Sequence, residues 1–188
     1  MPLAAIIGLG NPGDKYANTR HNAGYWLLDR LARATSATLK PEKKVLGEVA
    51  QVTLAGAQVR LFRPATYMNE SGQAVRRLLD FYKLAPADML VVHDELDLPP
   101  GTVRLKSGGG HGGHNGLRDI IAHCSDQFLR LRIGIGHPGD RSRVTGFVLN
   151  PPGNAELQLI EAALPDAERA IELLLGDGAE KAMHFLHS

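Results

Sequence analysis

The sequence predicts an α/β fold: a single domain in which a twisted, mixed β-sheet is covered by helices on both faces. Short apolar runs alternate with amphipathic stretches of helical period along most of the chain, the pattern of strands crossing over through helices. Two β-rich runs are separated only by Ala55-Gly56-Ala57, so part of the sheet is antiparallel. The chain has 188 residues, 44% hydrophobic and 22% charged, which suits one globular unit spanning 1–188.

Leu3–Ile7 is apolar and stops at a glycine turn, as a buried strand does. Ala23, Trp26, Leu27, Leu31 and Ala34 recur at helical spacing, with Asn22 placed to cap the helix. Val45–Leu54 and Gln58–Phe62 form the hairpin. Ala74, Val75, Leu78, Leu79 and Tyr82 give the apolar stripe of a second helix over Ser71–Lys83. Met89–His93, Thr102–Lys106 and Leu129–Ile135 read as strands, with a helix over Asn115–His123 between the last two. Ala155–Leu175 is a long amphipathic helix and Ala179–His187 a shorter one. Polar or glycine-rich clusters follow the strands: GLGNPG, ATYMNESG and HDELD. In open α/β sheets ligands collect beyond strand ends, so these loops are expected to converge on one cleft.

The net charge of +1 hides an asymmetry. Residues 151–188 carry seven acids and two bases, a balance of −5, which leaves +6 on the first 150 residues. This acidic helical segment is read as part of the same domain. Paired bases such as Arg104 and Lys106, or Arg130 and Arg132, suit a phosphate-holding face, although solvated surface charge explains the composition equally well. One cysteine, Cys124, fits a reducing, cytoplasmic compartment. The opening MPLAAIIGLGNPG lacks the basic start of a secretory leader. No apolar run approaches the ~20 residues that cross a bilayer, so no membrane partner is expected.

Gly8-Leu9-Gly10-Asn11-Pro12-Gly13 matches G-x-G-x-x-G, yet a dinucleotide site needs a helix to start within the glycines, and Asp14–Arg20 is polar without an apolar stripe. Arg20-His21-Asn22 precedes a helix, where an imidazole is kept neutral and available as a base, or is merely a surface histidine. His93-Asp94-Glu95-Leu96-Asp97 ends a strand, so that a carboxylate could fix the tautomer of a nearby histidine. The same stretch admits a metal reading through His93, Asp94, Asp97, His111 and His114, without zincin spacing. Gly108–Gly116 is glycine-rich with an imidazole and an amide embedded, either a flexible loop or a place where main chain approaches a ligand. No G-x-S-x-G is present, so a hydrolase built from these parts would activate water rather than form a covalent intermediate.

Together these blocks resemble the bacterial-type peptidyl-tRNA hydrolase family. The resemblance covers nearly the whole chain, through GLGNPGDKYANTRHNAG at 8–24, RPATYMNESG at 63–72, VVHDELDLPPG at 91–101, LKSGGGHGGHNGLRDII at 105–121 and RLRIGIGHPGD at 130–140. Tyr67 and Arg63 stand where the family often has Phe and Lys. The resemblance implies an enzyme that cleaves the ester between a peptide and tRNA, as a monomer, with no metal or other cofactor. It implies His21 as base, Asp94 as the carboxylate holding it, and Asn11 as an amide that distinguishes blocked from free aminoacyl groups. It assigns Tyr16, Tyr67, Asn69 and Asn115 to the tRNA or the ester, and places Met68 and His114 in the same cleft. It assigns Lys106 and Arg132 to the terminal phosphate at the acceptor end, and Val144–Leu149 to a mobile segment at the rim. Two other classes remain open: a non-catalytic RNA- or ribosome-binding module, and a metal-dependent hydrolase of another ester.

Overall fold

The computed structural model describes residues 3–187. Positions 1, 2 and 188 of the unit expected over 1–188, and the first two residues of the opening read as lacking a leader, lie outside them. Seven strands form one mixed sheet: β1 (Ala5–Gly8), β2 (Lys40–Glu42), β3 (Gly47–Leu54), β4 (Ala57–Pro64), β5 (Met89–Glu95), β6 (Val103–Ser107) and β7 (Leu129–Gly134), in the order β2-β3-β4-β1-β5-β7-β6. Among the described residues six α-helices accompany it: α1 (Ala23–Ala34), α2 (Ser71–Tyr82), α3 (Asn115–His123), α4 (Val144–Val148), α5 (Asn154–Asp177) and α6 (Ala179–His187).

β1, β4, β5 and β7 are mutually parallel, while β2–β3, β3–β4 and β6–β7 pair antiparallel. The hairpin turns on Ala55 and Gly56, both at positive φ (49° and 79°), the handedness that suits the twist of two-residue hairpins. Central β5 shows why its sequence is apolar throughout. Leu90 and Val92 enter a core shared with α1 and α5, and Met89 and Val91 enter a second core shared with α2 and α3. Helices therefore cover both faces, as expected. Residues 151–187 belong to the first core through Ile160, Leu164, Ile171 and Ala182, packed with strand residues Leu131 and Ile133. Part of the charge asymmetry is neutralised inside the molecule, since Glu156 and Glu168 pair with Arg20 and Arg30.

Two elements escape the sequence pattern. β2 is a three-residue edge strand with a proline and mostly exposed side chains, too short for a period of two to register. α4 has five residues, fewer than helical periodicity can reveal. The first strand begins at Ala5 rather than Leu3, and Val45 is the buried residue of a 3-10 turn ahead of β3.

β1 is the switch point, with β4 on one side and β5 on the other. The loops after β1, β4 and β5 leave the sheet at one end, where a crevice forms. The first turn of α1 lies directly on that end: a Cβ at Gly24 would come within 2.4 Å of the Val92 carbonyl oxygen, and one at Gly8 within 2.5 Å of the Gly24 carbonyl oxygen. The glycines thus bring a helix onto the strand ends, and the helix begins only at Ala23, after the loop.

Candidate active site

Residues Arg20–Asn22 form one 3-10 turn leading into α1, and all three are buried. His21 Nδ1 lies 2.9 Å from Asp94 Oδ2, at the end of β5. A carboxylate only accepts, so Nδ1 carries the proton and Nε2 keeps the lone pair. The second carboxylate oxygen, Oδ1, accepts from His114 Nε2 at 2.8 Å. His114 is the N-cap of α3, and its Nδ1 accepts the main-chain N–H groups of Gly116 and Leu117 at 3.1 and 3.2 Å. Its tautomer is therefore fixed by the helix it caps.

Burial pushes the His21 pKa down, but the charge and hydrogen bond of Asp94 outweigh it and the net shift is upward. Burial pushes Asp94 up, yet His21 and then His114 hold it well below the usual carboxylate range. His93, packed edge-on against His114 with ring centroids 5.1 Å apart, is pushed down to about 4 by burial and by His114. Its Nδ1 donates to the Asp94 carbonyl at 2.8 Å, and it serves as a neutral wedge behind the pair.

Asn11 is fixed by three hydrogen bonds. Its N–H donates to Asn22 Oδ1 at 2.8 Å, its carbonyl accepts from Asn22 Nδ2 at 3.0 Å, and its Oδ1 accepts from the Met68 N–H at 2.7 Å. The network leaves Nδ2 as the donor that Asn11 offers. Asn22 stands at the N-cap of α1, but its side chain makes no capping bond because it is committed to Asn11. That corrects the expectation from sequence, in which Asn22 capped the helix.

These groups open onto a cavity of about 240 Å³. Asn11, His21, Met68, Asp94 and His114 form its floor, with Tyr16, Asn69 and Asn115 around them and α4 as one wall. Eight of the residues singled out in the sequence therefore meet in one place. Three do not line it. Tyr67 is exposed and meets Tyr16 edge-on at a centroid distance of 6.3 Å. Lys106 and Arg132 sit on β6 and β7. There Lys106 is opposite Arg130 and Arg104 opposite Arg132, so all four cations share one sheet face. Arg132 is not a free cation: its Nε donates to Glu95 Oε1 at 2.9 Å, and Glu95 lines the cavity. Burial raises the Glu95 pKa and the hydrogen bond from Arg132 lowers it, the net shift being downward. The sequence pattern gives Glu95 and Arg20 no part, because an ion pair between neighbouring strands far apart in sequence, and a side chain capping a helix remote in sequence, leave no local periodicity.

The five-residue metal group does not assemble. Asp97 is exposed, and His111 Nδ1 accepts from the Gly113 N–H at 2.9 Å. Among the described residues, His21, Asp94 and His114 offer donor atoms within 4.8 Å of one another. A cation there would have to displace the protons of both N–H···O bonds to Asp94.

Residues 5–188 match the family model described as peptidyl-tRNA hydrolase. The peptidyl-tRNA hydrolase of Actinobacillus succinogenes is 55% identical over 187 residues, covering 98% of this chain and 96% of its own length. That of Sodalis glossinidius is 54% identical over 190 residues, covering 100% and 98%. The crystal structure of peptidyl-tRNA hydrolase from Acinetobacter baumannii superposes with a TM-score of 0.96 at 48% identity, over 99% of this chain and 95% of that one. The chain belongs to the peptidyl-tRNA hydrolase family.

Proposed function

We propose that this enzyme hydrolyses the ester between a peptide, or an N-blocked amino acid, and the terminal ribose of tRNA, releasing free tRNA, with water activated by His21 and Asp94. The observation that carries the mechanism is the 2.9 Å contact between His21 Nδ1 and Asp94 Oδ2, which leaves Nε2 as the basic nitrogen in a cavity-lining residue. Nε2 takes a proton from water as its oxygen attacks the ester carbonyl carbon. The C–O bond to ribose then breaks, and the imidazolium returns the proton to the departing ribose oxygen. Asp94 stabilises the transient imidazolium and takes no proton itself. Peptide acid and tRNA result, with no covalent enzyme intermediate.

The amides of Asn11, Asn69 and Asn115 suit the developing oxyanion and the peptide carbonyls, a donor of this kind contributing about 3–4 kcal/mol by precedent. Asn11 is the most rigid of the three and presents only N–H donors, which fits an acylated rather than a free amine next to the ester. A charged α-ammonium is also costlier to desolvate in a partly dry cleft than an amide. Tyr16, Tyr67, Met68 and His114 complete the substrate-facing surface. Lys106 and Arg132 would hold the terminal phosphate, a contact blind to base sequence and sensitive to salt. On this reading the enzyme acts as a monomer. Among the described residues no helix is long and apolar enough to cross a membrane. The substrate of this reading places the enzyme in the cytoplasm.

Release of tRNA from N-acetyl-aminoacyl-tRNA and from unblocked aminoacyl-tRNA, each with and without a chelator, tests the reading. Chelator-resistant cleavage of the blocked substrate alone is expected. Binding of tRNA without cleavage would make the protein a binding module instead, and chelator-sensitive cleavage would return the metal reading.

A further inference from the structure

The three residues of the turn that carries His21 reach in three directions. His21 reaches Asp94 on β5, Asn22 reaches the Asn11 loop, and Arg20 reaches α4. The last connection has no part in the proton transfer proposed above. We propose that Arg20 is a positioning residue that fixes the α4 wall of the cleft to the catalytic turn, and so sets the width of the space in which the peptidyl ester is held. The inference rests on the hydrolase reading of the cleft.

α4 needs an outside anchor. Five residues cannot hold a helix on intrinsic propensity, since isolated helices are marginal in water even at ~12–15 residues. Of those five, only Val148 is fully buried. Val144, Thr145, Val148 and Leu149 face the cavity, so they leave the opposite side of the helix to secure it. Arg20 occupies that side. Its Nη1 donates to the carbonyls of Phe147 at 2.8 Å and Asn150 at 3.2 Å, which lie at the C-terminal end, where carbonyls lack helical partners. Its guanidinium carbon sits 3.8 Å from the centroid of the Phe147 ring, a stacked cation–π contact. Its own main-chain N–H donates to the Asn150 carbonyl at 3.1 Å.

The anchor is also tied to the next helix. Arg20 Nη2 donates to Glu156 Oε1 at 3.3 Å, and the same oxygen accepts the Gly153 N–H at 3.3 Å, at the start of α5. One guanidinium thus joins the catalytic turn, the end of α4 and the N-terminus of α5. Only a planar fork can contact two carbonyls, a carboxylate and a ring together, so lysine at this position would keep the charge and lose the geometry. Because Arg20 and His21 share a peptide bond but not partners, loss of the anchor should loosen the wall without disturbing the His21–Asp94 pair. A residue with a purely structural role would instead lower the melting temperature with no selective effect on the cleft.

The test compares the wild type with Arg20→Lys in two measurements: hydrogen–deuterium exchange over 144–150, and KM and kcat with N-acetyl-aminoacyl-tRNA across pH. In Arg20→Lys, exchange over 144–150 is expected to quicken while β5 stays protected. KM should rise about tenfold, the scale of one lost charged hydrogen bond, with kcat within about threefold and the acidic limb of the pH profile unmoved. A folded variant with unchanged exchange over 144–150 and unchanged KM would overturn the proposal. So would a displaced acidic limb, since Arg20 would then act on the His21–Asp94 pair. Should Arg20→Lys not fold, Glu156→Gln removes the anionic partner and leaves both carbonyl bonds. A smaller acceleration over 144–150 in that variant supports the proposal, and none overturns it. The exchange measurement needs no turnover: wild-type protein that fails to cleave the substrate sinks the hydrolase reading, while exchange still decides whether Arg20 holds α4.

Discussion

Asp94 and His114 are joined at 2.8 Å, and His114 in turn accepts the first free N–H groups of α3, so the carboxylate that orients His21 is itself held by a helix N-terminus. The glycine-rich loop before His114 has a structural purpose in this arrangement. It lets the chain approach the end of β5, turn, and enter α3 with an imidazole at the capping position. His21 and His114 stand on either side of Asp94, their ring centroids 5.0 Å apart.

Substitution at His114 separates the cap from the carboxylate contact. His114→Ala removes both and should cost about 1 kcal/mol for the cap alone, with a further loss in turnover as Asp94 gains freedom. His114→Asn supplies a favoured capping residue and should recover most of the stability but not the turnover. Thermal melts beside kcat measurements decide this. If Asn restores both, the Asp94 contact is irrelevant to rate.

His21→Ala should lower kcat about 10²–10⁴-fold, the usual worth of a positioned general base, with KM for N-acetyl-aminoacyl-tRNA nearly unchanged. Steady-state kinetics check it. Activity retained within a few-fold would remove His21 from the proposed mechanism.

The His21–Asp94 pair also predicts two pH dependences. The imidazole must be neutral to act as base, so the rate falls as pH drops through the raised His21 pKa. In Asp94→Asn the charge is gone and burial remains, so the acidic limb should move to lower pH, with kcat reduced less than in His21→Ala. Stability runs the other way. A raised histidine pKa contributes stability that is complete below the unfolded value of about 6.5 and fades as pH rises through the folded one. The depressed Asp94 pKa contributes stability above about 3.9, which is lost as pH falls through the folded value. The melting-temperature gap between wild type and Asp94→Asn should therefore be wide near pH ~5 and narrower near pH ~9. A gap independent of pH would show that the pair is not ionised in the folded state.

Sequence made the helices and central strands legible because each buries a continuous face. The stripe of α2 marks a helix with one face on the core, and the apolar run of β5 marks a strand buried on both faces. The meeting of the loops that carry Asn11 and Asp94 was expected from the polar clusters that follow strands, whereas the parts given to His21 and His114 rested on the family resemblance. What stayed hidden were features whose cause is tertiary. Asn22 looks like a cap until the Asn11 main chain is beside it. α4 depends on partners such as Arg20, far away in sequence. The paired bases on β6 and β7 looked equivalent, yet Arg130 is buried and donates to the carbonyls of Gly109, Gly110 and Asp126, whereas Arg132 is paired with Glu95 and Lys106 is exposed.

The Glu95–Arg132 pair leads to a prediction that the Lys106 and Arg132 assignment alone does not. If Arg132 grips a tRNA phosphate, Glu95 competes for the same guanidinium, and Glu95→Gln leaves a neutral acceptor in its place. That variant should lower KM for full-length substrate a few-fold at low salt and steepen its salt dependence, by up to about 0.7 in the slope of log affinity against log salt for one further phosphate contact. Arg132→Ala and Lys106→Ala should do the opposite. A short ester mimic without the terminal phosphate should respond to none of the three. KM titrations of both substrates over a salt series distinguish the cases. Should Glu95→Gln weaken binding of the mimic as much as of the full substrate, Glu95 acts on the ester within the cleft and not by restraining Arg132.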